Sequence, residues 1–122
     1  MGKKILVIDD EPDIVKVVVF RLKNEGYDLE AAMDGQQGLE RAKTMDPDII
    51  LLDITLPKMN GYEVCERLKA EEATRNIPVI FMTASVSAGP FHERFASTGA
   101  QGYVAKPFDF PQLLREIQRL IN

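Results

Sequence analysis

The sequence predicts an α/β fold, an open and parallel five-stranded sheet with helices on both faces. Three observations predict it. Five short apolar runs recur along the 122 residues, with amphipathic stretches of helical period between them. Three of those runs are continuously apolar rather than alternating, as suits parallel strands covered on both sides. Strands that alternate with helices at this pitch build βα units, and their crossovers are right-handed.

The first run, "KILVID" (4–9), is continuous and belongs at the centre of the sheet. A helix over 12–25 follows, with Pro12 in its first turn and Asp10 or Glu11 near its N-cap. Ile14, Val15, Val18 and Leu22 form its apolar stripe, and Gly26 stops it. "YDLEAA" (27–32) alternates polar and apolar residues, which suits an edge strand. A helix over 36–45 is announced by "DG" and ended by "DPD". "DIILLD" (48–53) is the third strand, and a helix after Asn60-Gly61 runs to about Ala70. "PVIFMT" (78–83) is the fourth strand, with a helix beginning at Pro90. "GYVAK" (102–106) is the fifth, and the last helix fills 110–121 behind Asp109. The chain shows no internal repeat, low-complexity segment or linker, so one domain over 1–122 is expected, with no output domain attached.

Composition narrows the function. Net charge is −4 with no basic block, which argues against direct nucleic-acid binding, because phosphate contacts need clustered Lys and Arg. No signal peptide or membrane-length apolar run is present, so no membrane partner and a cytoplasmic location are expected. Cys65 is the single cysteine, in "GYEVCERLK" at an apolar-spaced helical position, and reads as a buried, inert thiol.

In open parallel sheets, ligands bind at the carboxyl ends of the strands, where the strand order switches. The first strand here ends in Asp9 and Asp10, the third in Asp53, the fourth in Thr83 and the fifth in Lys106. Two like charges about 4 Å apart repel by ~4 kcal/mol at an effective dielectric near 20. Three carboxylates in one cleft must therefore protonate, pair with Lys106, or bind metal. Oxygen ligands without His or Cys favour a hard ion, and Mg2+ fits best. Mg2+, Lys106 and the Thr83 hydroxyl around one carboxylate make the cradle that phosphoryl transfer requires. Asp53 is then a candidate nucleophile forming an acyl phosphate.

"IDDE" (8–11), "LLDITLPKMNGYEV" (51–64), "MTAS" (82–85) and "GYVAKPF" (102–108), in this order, resemble the receiver domain of two-component response regulators. The resemblance runs from Lys4 to about Leu120. It implies a flavodoxin-like three-layer sandwich, (βα)5, with strand order 2-1-3-4-5. It implies that Asp53 accepts a phosphoryl group from a histidine kinase or a phosphotransfer protein. Asp10, Asp53 and the backbone carbonyl of Thr55 would hold Mg2+, with Asp9 acting partly through water. Thr83 would bond a phosphoryl oxygen, with Ala84 keeping the approach open, and Lys106 would pair with the group. The Lys106–Pro107 peptide is typically cis in this family. Tyr103 matches the switch aromatic, and signalling to a downstream protein would pass through the face of the fourth helix, fifth strand and fifth helix. The family is a switch rather than an enzyme of turnover, catalysing its own phosphotransfer and a slow dephosphorylation.

Part of the "LPKMNGYEV" stretch is turn-making, with Pro57 and Gly61 bending the chain and Asn60 capping a helix. Glu11 ranks behind Asp10 and Asp9 among the three acids of the metal site, the alternative being that it simply favours the N-terminus of the first helix. The chain departs from the family after "MTAS", where "VSAGPFHERF" is one residue longer than common members and predicts a longer 84–91 loop. His92, in this stretch, reads as a surface or helix-terminal residue. The resemblance implies that Thr55 and Ser85 flank the reacting centre; both are small and uncharged, and neither obviously positions or blocks a hydrolytic water. Aspartate-based phosphohydrolases share the nucleophile and Mg2+ but carry a second acid two residues later, where this chain has Thr55. A flavin binder needs a Ser/Thr/Gly loop where "DDEPD" stands. A receiver fold used only as an interaction module is the remaining alternative.

Overall fold

The computed structural model describes residues 2–84, 91–107 and 109–121. Five strands and five helices alternate: β1 (Lys4–Ile8), α1 (Pro12–Asn24), β2 (Asp28–Ala32), α2 (Gly35–Met45), β3 (Ile49–Asp53), α3 (Gly61–Ala70), β4 (Val79–Thr83), α4 (Phe91–Thr98), β5 (Gly102–Ala105) and α5 (Phe110–Ile121). The strands form one parallel sheet in the order β2-β1-β3-β4-β5. The alternating β2 run lies at an edge, as its pattern predicts, and β3 and β4, apolar up to their last residues Asp53 and Thr83, are buried at every position.

The two-residue period of a strand sends neighbouring side chains to opposite faces. Ile5, Val7, Ile49, Leu51, Ile80, Met82 and Val104 meet α1 and α5 through Val18, Leu22, Leu113 and Ile117. Leu6, Ile8, Ile50, Leu52, Val79 and Phe81 meet the other layer through Leu39, Val64, Cys65, Leu68 and Phe91. Each such side chain, fully buried, stabilises the fold by about 1.5–3 kcal/mol. Among the described residues, no helix is long and apolar enough to cross a membrane.

Helix ends follow local chemistry, with one exception. Asp34 caps α2 by accepting from the Gln37 amide at 2.8 Å, and Asn60 caps α3 by accepting from the Glu63 amide at 3.0 Å. Gly26, at φ 94°, takes the left-handed turn that follows α1. The exception is Glu11, which stands at the N-cap of α1 with no side-chain capping bond. The expected beginning of α4 at Pro90 and the longer 84–91 loop fall mostly on 85–90, outside the described residues, as does Ser85; α4 is described from Phe91.

Candidate functional site

The site is built where β1, β3, β4 and β5 end. Asp53 is the last residue of β3, and its residue surface is only 3% exposed. Asp9 follows β1 and is fully buried, whereas Asp10 is exposed. One carboxylate oxygen from each of Asp9, Asp10 and Asp53 lies within 4.8 Å of the others. The Lys106 ammonium, just past β5, reaches into this group. It lies 2.9 Å from Asp9 Oδ2, 3.3 Å from Glu11 Oε1 and 3.6 Å from Asp53 Oδ2.

The backbone fixes these side chains tightly. The Lys106 amide donates to the Thr83 carbonyl at 2.8 Å, which joins the ends of β4 and β5. Asp9 Oδ1 accepts from the Glu11 amide at 2.9 Å, so both oxygens of Asp9 are engaged. The Thr55 amide donates to Asp53 Oδ1 at 3.4 Å. The Gly61 amide donates to the Ile54 carbonyl at 2.8 Å. A Cβ at Gly61 would collide with the Asp53 carbonyl and Ile54 Cα. Gly61 thus does more than turn the chain: it lets α3 begin directly against the backbone of Asp53. Between them, Lys58 adopts φ 69°, a left-handed conformation unusual for a residue with a Cβ.

The electrostatics follow from burial and crowding. Burial pushes the Asp53 carboxyl up from 3.8 to about 6. Lys106 pulls it down, Asp9 raises it, the Thr55 amide lowers it and Asp10 raises it again, in decreasing order. For Lys106, burial works to lower the pKa, but the hydrogen bond to Asp9 and the charges of Asp53 and Asp9 outweigh it and raise it overall. One ammonium pairs with Asp9, Glu11 and Asp53, and Asp10 adds a fourth carboxylate beside Asp9 and Asp53. That imbalance, presented by oxygen donors alone, suits a hard dication such as Mg2+.

The sequence-predicted residues Asp9, Asp10, Asp53 and Lys106 are therefore together. Thr83 is buried at the end of β4, paired in register with Ala105 and two residues beyond Phe81. The Lys106–Pro107 peptide is cis. Tyr103 is half-buried on the α4 side of the sheet, with ring centres 5.1 Å from Phe91 and 5.4 Å from Phe95. His92 is an exposed first-turn residue of α4, edge-on to Phe91 and Tyr103. Cys65 is buried and donates to the Thr98 carbonyl at 3.5 Å. Burial pushes its thiol up to about 11, which keeps it inert.

Comparison with known proteins identifies the family of the chain. Residues 5–118 match the family model for the response regulator receiver domain. The chain belongs to that family. The receiver is 41% identical over 119 residues to the DNA-binding dual master transcriptional regulator RpaA of Synechocystis, covering 98% of this chain and 49% of RpaA. It is 40% identical over 127 residues to the alkaline phosphatase synthesis regulator PhoP of Bacillus subtilis, covering 100% of this chain and 50% of PhoP. The chain thus spans about half the length of these curated relatives. Among solved structures, the receiver matches Vibrio cholerae chemotaxis protein CheY4 with a TM-score of 0.92 at 29% identity, covering 98% of this chain and 99% of that one. It matches the receiver domain of the Pseudomonas aeruginosa sensor histidine kinase PA1611 with a TM-score of 0.91 at 34% identity, covering 99% and 98% of the two chains. That structure holds a magnesium ion in its active-site cleft.

Two features of the receiver were not anticipated from sequence. Glu11, read as the last-ranked acid of the site or as an acid favouring the start of α1, turns its carboxylate to Lys106. The cue was available, since Glu11 continues the acidic run, but no spacing rule tells a capping acid from one that folds back. The second is an aromatic seat under α4, made by Tyr62, Phe81, Phe91 and Phe95 around Tyr103.

Proposed function

We propose that this receiver accepts a phosphoryl group on Asp53 from the phosphohistidine of a histidine kinase or phosphotransfer protein, and changes its surface in response. The observation that carries the reading is the placement of Asp53: buried, at a strand end, 3.6 Å from the Lys106 ammonium and ringed by Asp9 and Asp10. An oxygen of the ionised Asp53 carboxylate attacks phosphorus, the N–P bond of the donor breaks, and the electron pair returns to the imidazole. Asp10, Asp53 and the Thr55 carbonyl are the residues we assign to Mg2+, with Asp9 assisting through water. When bound, the ion neutralises charge on the phosphoryl oxygens. Lys106 supplies a second positive charge to the same oxygens, and the Thr83 hydroxyl donates to one of them.

The chain's own surface supports a protein donor. A shallow, mostly apolar groove of about 310 Å³, lined by Asp13, Ile14, Val17, Val18, Lys106 and Pro107, opens beside the site. Val17 and Phe20 are exposed on the same helix, and apolar side chains presented to solvent mark contact surfaces. The net charge of −4 supports a protein rather than nucleic acid as the direct partner of this segment.

Phosphorylation adds about −1.5 to −2 charge at Asp53. Thr83 and Lys106 are drawn to the new oxygens, Tyr103 turns into the space Thr83 leaves, and the face of α4, β5 and α5 presents a new surface to a downstream protein. Thr55 stands where an aspartate-based phosphohydrolase has its second acid. The acyl phosphate therefore persists and decays slowly rather than turning over.

The test is intact-mass measurement after incubation with Mg2+ and acetyl phosphate or phosphoramidate. A single phosphoryl adduct is expected, lost with EDTA and absent in Asp53→Asn. Continuous phosphate release at enzyme-like rates favours a hydrolase, and the absence of any adduct leaves a non-phosphorylated interaction module.

A further inference from the structure

The Lys106 ammonium has three protons and three carboxylate partners, and the partners are not equivalent. Asp9 is fully buried, and both its oxygens are engaged, one by Lys106 and one by the Glu11 amide. Asp53 is the acceptor itself. Glu11 is different, since its side chain is 59% exposed and Lys106 is 11% exposed. A glutamate released there is rehydrated at little cost, whereas a buried acid left without its partner carries a large desolvation penalty. Of the three contacts, the one to Glu11 is the one Lys106 can exchange.

Helix-capping chemistry does not account for Glu11. Good N-cap residues are Ser, Thr, Asp and Asn, and the Glu11 carboxylate caps nothing. Instead it adds a like charge to a cleft already holding three acids. Its position draws the ammonium outward, with Nζ 3.3 Å from Glu11 and 3.6 Å from Asp53.

We propose that Glu11 is a positioning residue that holds Lys106 in the unphosphorylated state and must release it when a phosphoryl group forms on Asp53. This rests on the phosphoacceptor reading of Asp53. The phosphoryl group adds negative charge on the Asp53 side of the ammonium, drawing Lys106 inward from its outward contact, and the exposed Glu11 is the partner that gives way. Glu11 therefore biases the receiver toward its resting state.

The test is an equilibrium titration with beryllofluoride, a phosphoryl mimic, in excess Mg2+, followed by NMR of the native protein, Glu11→Gln and Glu11→Asp. The Asp variant keeps the charge, suits an N-cap position and withdraws the carboxylate from Lys106 by one methylene. Exposed ion pairs of this kind carry modest energies, so both variants are expected to bind the mimic ~2- to 5-fold more tightly than the native protein. In both, the Lys106 15N ammonium resonance of the mimic-free protein shifts, while that of the mimic-bound state matches the native protein. Unchanged affinity in both variants overturns the proposal. So does tightening in Glu11→Gln alone, because that reports a general field effect rather than a contact. A native protein that forms no Mg2+-dependent complex with the mimic overturns the phosphoacceptor reading and the Glu11 proposal together; a normal native complex with unchanged variants overturns the Glu11 proposal alone.

Discussion

The cleft around Asp53 and the seat of α4 are built on opposite physical terms. In the cleft, four carboxylates and one ammonium crowd the ends of three strands, and burial holds the Asp53 carboxyl near a pKa of about 6. Under α4 the groups are aromatic. Phe91 is almost wholly buried, its ring stacks on Phe95 at 5.8 Å, and Tyr103 meets both edge-on. Thr83 joins the two regions, at the end of the strand that carries Phe81 into the aromatic seat. Charge near Asp53 acts over several ångströms and responds to pH and metal, whereas ring packing is short-ranged and responds to neither. In the proposed function, a phosphoryl group is sensed in one region and expressed in the other.

The largest effect expected from separating these regions is qualitative. Asp53→Asn should abolish the Mg2+-dependent adduct entirely while leaving α4 packed, as checked by mass and by the NMR signals of Phe91 and Tyr103. Next in size, Phe91→Ala should destabilise the fold by about 3–5 kcal/mol in urea unfolding, since it removes a fully buried ring. The folded Phe91→Ala variant should still bind Mg2+ with little change, because the cleft does not use that ring.

Smaller, and with a defined sign, is the effect of Asp53 on stability in the absence of metal. Its folded-state pKa lies above the unfolded value, so the fold disfavours the ionised form. The penalty is absent below about 3.8, grows as pH rises through the interval to about 6, and is full above it. Asp53→Asn should therefore be more stable than the native protein by about 1–3 kcal/mol at pH 7.5 in EDTA, with the gain vanishing near pH 4. Mg2+ should erase or reverse the difference, and calorimetric melts across pH check both statements. The smallest effect belongs to the rim of the aromatic seat. Arg94 lies 4.5 Å over the Tyr62 ring and 3.8 Å from Glu66, half-exposed, so Arg94→Gln should cost about 0.5–1 kcal/mol in urea unfolding.

The same contrast explains what could be read from the sequence. The strand ends were legible because continuous apolar runs stop at Asp9, Asp53, Thr83 and Lys106, and a parallel sheet brings such ends together. Asn60 was legible as a cap because capping is local. Strand limits ran about one residue long at several ends, since a polar residue such as Asp9 can extend a written pattern after the ladder has stopped. Glu11 was legible as an acid near a helix start but not as a partner of Lys106, which is 95 positions away. The aromatic seat was not legible at all. Tyr62, Phe81, Phe91 and Tyr103 come from four different elements, and only the packing of α3 and α4 on the sheet makes them neighbours.

The claim on which everything else depends is that phosphoryl chemistry occurs at Asp53. Borohydride reduces an aspartyl phosphate to homoserine, which marks the modified residue permanently for peptide sequencing by mass spectrometry. After treatment with Mg2+ and phosphoramidate, the account predicts homoserine at position 53 and at no other aspartate. Homoserine at Asp9 or Asp10, or none anywhere while a phosphoryl adduct is present in the intact protein, would contradict it.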